Sequence, residues 1–280
     1  MFETLISSEE LAQSLDDHDV VVIDCRNSVT DKTLGRKLYG QGHIPGAFFA
    51  DGEADLSGAK NATTGRHPLP KADTFAAYLR GLGVRETTQV IAYDAGADMF
   101  ASRCWFLCKW IGHKAVSVLD GGFGAWVAAG YPVGDSLPEA RAEGTVKPHL
   151  RRDLVVSAEE VLVSLPAADI QLLDARSADR FAGQNETMDP IAGHIPGARN
   201  RFFKDNFDEH GKFKPSAVLR KEFESMGVPP ERIVHQCGSG ISAAVNFLAM
   251  ERAGLVASRL YAGSWSEWIT DPSRPVTTKA

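Results

Sequence analysis

Short runs rich in β-branched residues alternate along this chain with stretches in which apolar side chains recur at helical spacing. In the first half, Val20 to Asp24, Gln89 to Tyr93 and Ala115 to Leu119 read as buried strands. In the second half, Ile170 to Asp174, Arg232 to Gln236 and Ser258 to Tyr261 read the same way. Helical spacing marks Thr74 to Leu82, Ala101 to Trp110 and Ile241 to Ala253. The last of these stops at Gly254, a residue suited to the turn that ends a helix. Strands that are almost continuously apolar are covered on both faces, so the alternation predicts an α/β fold of mostly parallel sheets flanked by helices.

The pattern occurs twice. Val21-Val22-Ile23-Asp24-Cys25-Arg26 matches Gln171-Leu172-Leu173-Asp174-Ala175-Arg176, and Gly42-His43-Ile44-Pro45-Gly46-Ala47 returns as Gly193-His194-Ile195-Pro196-Gly197-Ala198. Leu119 to Trp126 aligns with Tyr261 to Trp268. Three matches in one order predict tandem domains, residues 1–136 and 151–280. Residues 137–150, rich in Pro, Glu, Arg and Gly and without a clear period, read as a solvent-exposed linker.

Composition narrows the setting. The 280 residues are 44% hydrophobic and 24% charged, ordinary for a globular protein. A net charge of −6 provides no electrostatic footprint for nucleic acid or an anionic membrane. No apolar run approaches the roughly 20 residues that span a bilayer. Met1-Phe2-Glu3-Thr4 does not open a secretory leader. The four cysteines form no C-x-x-C pair and no zinc-type cluster, so neither a metal nor an organic cofactor is implied. A monomer in a reducing cytoplasm is the expectation.

The chemistry concentrates around Cys237. Arg232 to Gln236 is a strand, a helix is expected after Gly240, and open α/β sheets place ligands at the carboxyl ends of strands. Gly238 and Gly240 allow successive backbone N–H groups to curl toward one centre, and the helix start adds its positive dipole end. Together they stabilise a thiolate or persulfide anion. A buried structural cysteine is the plain alternative, but packing alone does not call for a glycine on each side of the turn.

The duplication, the two G-H-I-P-G-A segments and Cys237-Gly238-Ser239-Gly240-Ile241-Ser242 resemble the rhodanese-like sulfurtransferases over nearly the whole chain. In that family the second domain carries the catalytic cysteine and the first is an inactive copy. Asp94 stands here where Cys237 stands in the second half, and the loop that follows it is one residue longer. The cation-free loop looks like that of the 3-mercaptopyruvate branch, whereas thiosulfate-type loops read Cys-Arg-Lys-Gly-Val-Thr. The resemblance implies attack of the Cys237 thiolate on the donor sulfur, with Gly238, Gly240, Ile241 and Ser242 lining the donor site. It implies that Ser239 relays a proton, supported by a histidine and an aspartate from the first domain. His67, in Gly65-Arg66-His67-Pro68-Leu69-Pro70, matches the histidine; Asp51 and Asp55 are both candidates for the aspartate. Ser239, His67 and the aspartates are each also ordinary turn or loop residues.

Asp174-Ala175-Arg176-Ser177-Ala178-Asp179-Arg180-Phe181-Ala182-Gly183 matches the family segment D-A-R-x-x-x-R-F-x-G, which makes Arg180 the clamp for the donor carboxylate. Arg176 has a copy, Arg26, in the inactive half and reads as structural. His43, His194, Asp24 and Asp174 are structural by the same logic. A second substrate arginine, expected shortly before the second G-H-I-P-G, is missing: that stretch reads Thr187-Met188-Asp189-Pro190-Ile191-Ala192. Cys104 and Cys108 on their helix, and Cys25 in its strand repeat, read as packing.

Three functions remain open on the sequence. The first is transfer of sulfur from 3-mercaptopyruvate to cyanide or a thiol such as thioredoxin. The second is the same chemistry with thiosulfate, and the third is a relay or redox-sensing module needing only the cysteine. A protein phosphatase is a poor fit, because the related H-C-x5-R motif would need histidine at Gln236 and arginine at Ala243.

Overall fold

The computed structural model describes residues 1–279, which divide into two compact units. The first comprises residues 1–58, 70–151 and 207–213, and the second residues 59–69, 152–206 and 214–280. Each is a parallel sheet with helices packed against it.

The first unit runs β1 (Leu5–Ile6), α1 (Ser8–Ser14), β2 (Val20–Asp24), α2 (Leu34–Gln41), β3 (Phe48–Phe49), α3 (Ala72–Gly81), β4 (Gln89–Tyr93), α4 (Phe100–Trp110), β5 (Val116–Leu119) and α5 (Gly122–Ala128). Its sheet has the order β1-β5-β4-β2-β3, every pair parallel. The second unit runs α6 (Ala158–Ser164), β6 (Gln171–Asp174), α7 (Ala178–Phe181), β7 (Arg199–Asn200), α8 (Ser216–Glu224), β8 (Ile233–Gln236), α9 (Ala243–Arg252), β9 (Arg259–Leu260) and α10 (Ser264–Trp268). Its order, β7-β6-β8-β9, is the same arrangement without the outermost strand. A single parallel bridge from Val155 to Leu260 stands where that strand would be. The six strands expected from the apolar runs are present within a residue or so at each end. The two-residue strands β1, β3 and β7 were not anticipated, since so few residues carry no readable period.

The duplication extends to individual hydrogen bonds. Ser7 and Ser157 form capping boxes with Glu10 and Glu160. Arg26 lies on Asp24 and donates to the Gly42 carbonyl at 2.6 Å; Arg176 lies on Asp174 and donates to the Gly193 carbonyl at 2.8 Å. The outer oxygen of each aspartate accepts from the neighbouring strand, from Tyr93 Oη at 2.7 Å and from Gln236 Nε2 at 2.6 Å. His43 stacks on Tyr39, and His194 on Phe181, and the Nδ1–H of each ring donates to the backbone carbonyl of the residue it stacks on. Trp126 and Trp268, both fully buried, donate to the carbonyls of Pro132 and Pro275. Histidines, aspartates and tryptophans shared by both halves therefore hold the fold, as repetition implies.

Two segments depart from the expected boundaries. Residues 137–150 are mostly exposed, as expected, but they are fastened: Gly144 N–H donates to Arg80 O at 2.8 Å, His149 N–H to Ile111 O at 2.7 Å, and Val146 is buried. Backbone hydrogen bonds to the ends of α3 and α4 fasten this strap, and a strap without periodicity looks like a linker in sequence. Residues 59–69, in the first half of the sequence, belong to the second unit.

Cys25, Cys104 and Cys108 are buried free thiols of the first unit, and burial pushes Cys25 and Cys108 well above the ordinary thiol range. At the end of β4, Asp94 closes its own loop, accepting the N–H groups of Gly96 and Ala101, both at 3.0 Å. Burial, with Asp98 adding to it, pushes this carboxyl up to about 7, against the pull of those two N–H groups. The folded protein thus holds a proton that the unfolded chain releases near pH 4, so ionising Asp94 costs stability as pH rises from about 4 through about 7. Asp94→Asn removes this titration, and its Tm relative to the parent should become more positive by several degrees between pH 5 and pH 8. Thermal unfolding across that range checks this, and a pH-independent difference counts against it.

Candidate active site

In the second unit, β8 delivers Cys237 into a tight loop where the sulfur is nearly enclosed, the residue being 2% exposed. Cys237 Sγ accepts the N–H of Gly240 at 3.1 Å and that of Ser239 at 3.5 Å. The loop is pinned from outside: Cys237 N–H donates to Ser264 Oγ, while the carbonyls of Cys237 and Gly238 accept the N–H groups of Trp265 and Ser266 at the start of α10. Gly240 has φ +79°, and a Cβ there would lie 2.1 Å from the Ala262 carbonyl oxygen, so no other residue fits. The helix begins later than expected. Ser242 occupies the N-cap of α9, Ile241 before it is buried, and the N–H groups facing sulfur are the loop's own.

Ser239 Oγ lies 2.8 Å from His67 Nδ1, and both residues are buried. His67 reaches this place because residues 59–69 belong to the second unit. Gly65 approaches so closely that a Cβ would lie 2.5 Å from the Gly263 carbonyl oxygen, and Arg66 N–H donates to Ser266 Oγ at 3.0 Å. The start of α10 therefore anchors both the cysteine loop and the histidine segment. Asp51 and Asp55 lie in the first unit, where they close a turn. Asp51 Oδ1 accepts the N–H groups of Glu53 and Ala54, and Asp55 Oδ2 accepts the Asp51 N–H. Burial raises the Asp55 carboxyl above its usual range.

Arg180 does not stand as an open clamp. Its Nε and Nη2 lie against Glu186, at 3.1 Å to Oε2 and 2.8 Å to Oε1, and Asp189 adds a 3.4 Å contact. Glu186 also accepts the N–H groups of Met188 and Asp189 and lies 3.4 Å from Arg176. Asp189 pairs in turn with Arg66. The cysteine loop carries no cation of its own, yet arginine side chains approach it from two other segments, one carrying Arg66 and the other Arg176 and Arg180. A Cβ on Gly238 would lie 2.9 Å from Arg66 Nη2, 3.5 Å from Arg180 Nη2 and 3.8 Å from Arg176 Cδ. Arg66, Glu186 and Asp189 were not singled out in sequence. The available signals were the adjacency of Arg66 to His67 and two acidic residues shortly after Arg180 in a polar stretch.

The parts have defined chemical uses. Converging backbone N–H groups stabilise an anionic sulfur. A hydroxyl hydrogen-bonded to an imidazole moves a proton. Guanidinium edges bind a carboxylate. Among the described residues, no group of three or more His, Cys, Asp or Glu side chains is arranged to hold a metal ion. Among them, too, no helix is long and apolar enough to cross a membrane.

Comparison with known proteins places this geometry in a family. The model of the rhodanese-like domain matches residues 7–129 and again residues 157–271. The probable 3-mercaptopyruvate sulfurtransferase of Pseudomonas aeruginosa is 42% identical over 278 residues, 98% of each chain. The putative thiosulfate sulfurtransferase SseB of Mycobacterium tuberculosis is 36% identical, over 98% of this chain and 96% of that one. The crystal structure of SseA from Escherichia coli, titled as a study of the rhodanese fold and catalytic mechanism of 3-mercaptopyruvate sulfurtransferases, superposes with a TM-score of 0.82 at 32% identity, covering 95% of this chain and all of that one. The chain therefore belongs to the rhodanese-like family and carries that family's domain twice.

Proposed function

We propose that this protein is a sulfurtransferase that takes sulfur from 3-mercaptopyruvate as a persulfide on Cys237 and passes it to a thiol or to cyanide. The observation that carries the reading is the pairing of two features in one buried place. Cys237 Sγ accepts two loop N–H groups, and Ser239, the donor of one of them, has its hydroxyl 2.8 Å from His67 Nδ1. Relatives named as sulfurtransferases span nearly the whole chain, which supports a small-molecule sulfur donor.

The Cys237 thiolate attacks the thiol sulfur of the donor. A sulfur–sulfur bond forms, the sulfur–carbon bond breaks, and its electron pair stays on carbon as the enolate of pyruvate. Ser239 gives the proton that carbon needs and is restored through His67. The N–H groups of Ser239 and Gly240 face the sulfur throughout, so the cradle costs no reorganisation. An acceptor thiolate, with thioredoxin as the model dithiol, then removes the outer sulfur and returns the Cys237 thiolate. Four buried free thiols fit a reducing cytoplasm, and the chain is taken to act as a monomer. Thiosulfate is the second reading, favoured by the guanidinium groups around Gly238, which suit a dianion.

Steady-state transfer to cyanide from either donor separates these readings. A much higher kcat/KM is expected for 3-mercaptopyruvate, abolished by Cys237→Ser. Preference for thiosulfate would keep the persulfide and reject the donor, while inactivity with both leaves the relay or sensor module. Ser239→Ala should lower kcat for 3-mercaptopyruvate by roughly 100-fold, the usual worth of positioned proton transfer. An unchanged kcat would remove Ser239 from the proton path. Mass spectrometry after a single turnover should find one added sulfur atom on the peptide bearing Cys237; finding it on another cysteine rejects the assignment.

A further inference from the structure

Two guanidinium groups side by side in a half-buried place repel one another and need anions to hold them. Arg66 and Arg180 are such a pair, both bordering the space that a Cβ on Gly238 would fill. Each is held along one edge only. Glu186 takes the Nε and Nη2 of Arg180, and Asp189 pairs with Nη1 of Arg66. The opposite side of Arg66 is left wanting: its Nε is buried and has no hydrogen-bond acceptor, an uncommon condition in a folded protein. The two side chains remain 26% and 19% exposed, enough for a small solute to reach them. Burial works against the charge on Arg66, while the sulfur of Cys237 and the carboxylate of Glu186 support it, so a bound anion would act in the same direction as those two.

We infer that Arg66 is the second donor-binding arginine of this site, acting with Arg180 on the carboxylate and carbonyl oxygens of a 2-oxo acid donor across the face of Gly238. The inference rests on the donor proposed above. Residues 187–192, where the family resemblance calls for an arginine, contain none, and Arg66 supplies the missing fork from the first half of the sequence. Its position is set rigidly by the close packing of Gly65 on the Gly263 carbonyl and by the Arg66 N–H bond to Ser266. Gly238 has a complementary part: any side chain there would fill the space in which the guanidinium groups meet the donor.

The test is steady-state sulfur transfer from 3-mercaptopyruvate to cyanide by the full chain, comparing the parent with Arg66→Met and Arg66→Lys. Arg66→Met should raise KM by roughly 10- to 100-fold, the worth of a charge-assisted hydrogen bond. Arg66→Lys keeps the charge that faces Asp189 but not the fork, and should recover only part of that loss. Pyruvate, used as an unreactive probe of the same oxygens, should weaken as a competitive inhibitor in the same order. A KM within twofold of the parent in both variants overturns the inference alone. So does a loss confined to kcat, which would give Arg66 to the sulfur rather than to the donor. If the parent itself transfers no sulfur from 3-mercaptopyruvate, the donor reading falls and this inference falls with it.

Discussion

The buried pair of Asp174 and Arg176 is the constraint on which the second unit depends. Asp174 ends β6 with its carboxylate removed from water, and Arg176, two residues on, folds back to meet it. Such a pair gives little net stability, but removing one partner costs about 3–5 kcal/mol, because the other charge stays buried. The two remaining connections are what matter. Arg176 reaches the Gly193 carbonyl and fixes the turn that begins the second G-H-I-P-G segment. Asp174 accepts from Gln236, the last residue before Cys237, and so fixes where β8 ends. Position of Cys237 and position of the turn are thus settled by one ion pair. Asp24 and Arg26 repeat this lock in the first unit, with Tyr93 in place of Gln236.

On these matching frames sit two loops of opposite character. In the first unit the group at the strand end is the carboxylate of Asp94, which consumes the available N–H groups and closes the loop on itself. In the second unit it is a sulfur, larger and more polarisable, accepting from Ser239 and Gly240. The same backbone device serves both, since N–H groups aimed at one point favour any anion placed there. What distinguishes the second loop is the set of side chains around it: the Ser239 hydroxyl, the His67 imidazole and the guanidinium groups of Arg66 and Arg180.

Much of this was legible in the sequence, and the reason is locality. Apolar runs such as Gln89–Tyr93 state their own conformation, and the repeat of Asp-x-Arg and Gly-His-Ile-Pro-Gly announces shared supports. A cysteine at the end of a strand, followed by Gly238 and Gly240, announces a cradle. The illegible parts depend on segments distant in the chain. Nothing within residues 59–69 says that this stretch packs with the second half; that follows from the approach of Gly65 to Gly263. Nothing within residues 137–150 says that Val146 is buried. The occupation of Arg180 by Glu186 depends on the path of a turn without periodicity, so the arginine reads as an open clamp until the turn is seen. The loop likewise reads as cation-free although guanidinium groups approach it from elsewhere.

The exchange of residues 59–69 into the second unit has a consequence for the handling of the gene. A sequence repeat invites the idea that either copy is a self-sufficient module, ready to be excised, recombined or inherited alone. Here the second unit draws two of its side chains, Arg66 and His67, from codons lying inside the first half. Any breakpoint between the halves leaves a fragment that retains Cys237 and Ser239 and loses His67, whose Nδ1 lies 2.8 Å from the Ser239 hydroxyl. Two copies in the sequence are therefore not two separable bodies in space, and a cut that respects the repeat divides the second unit.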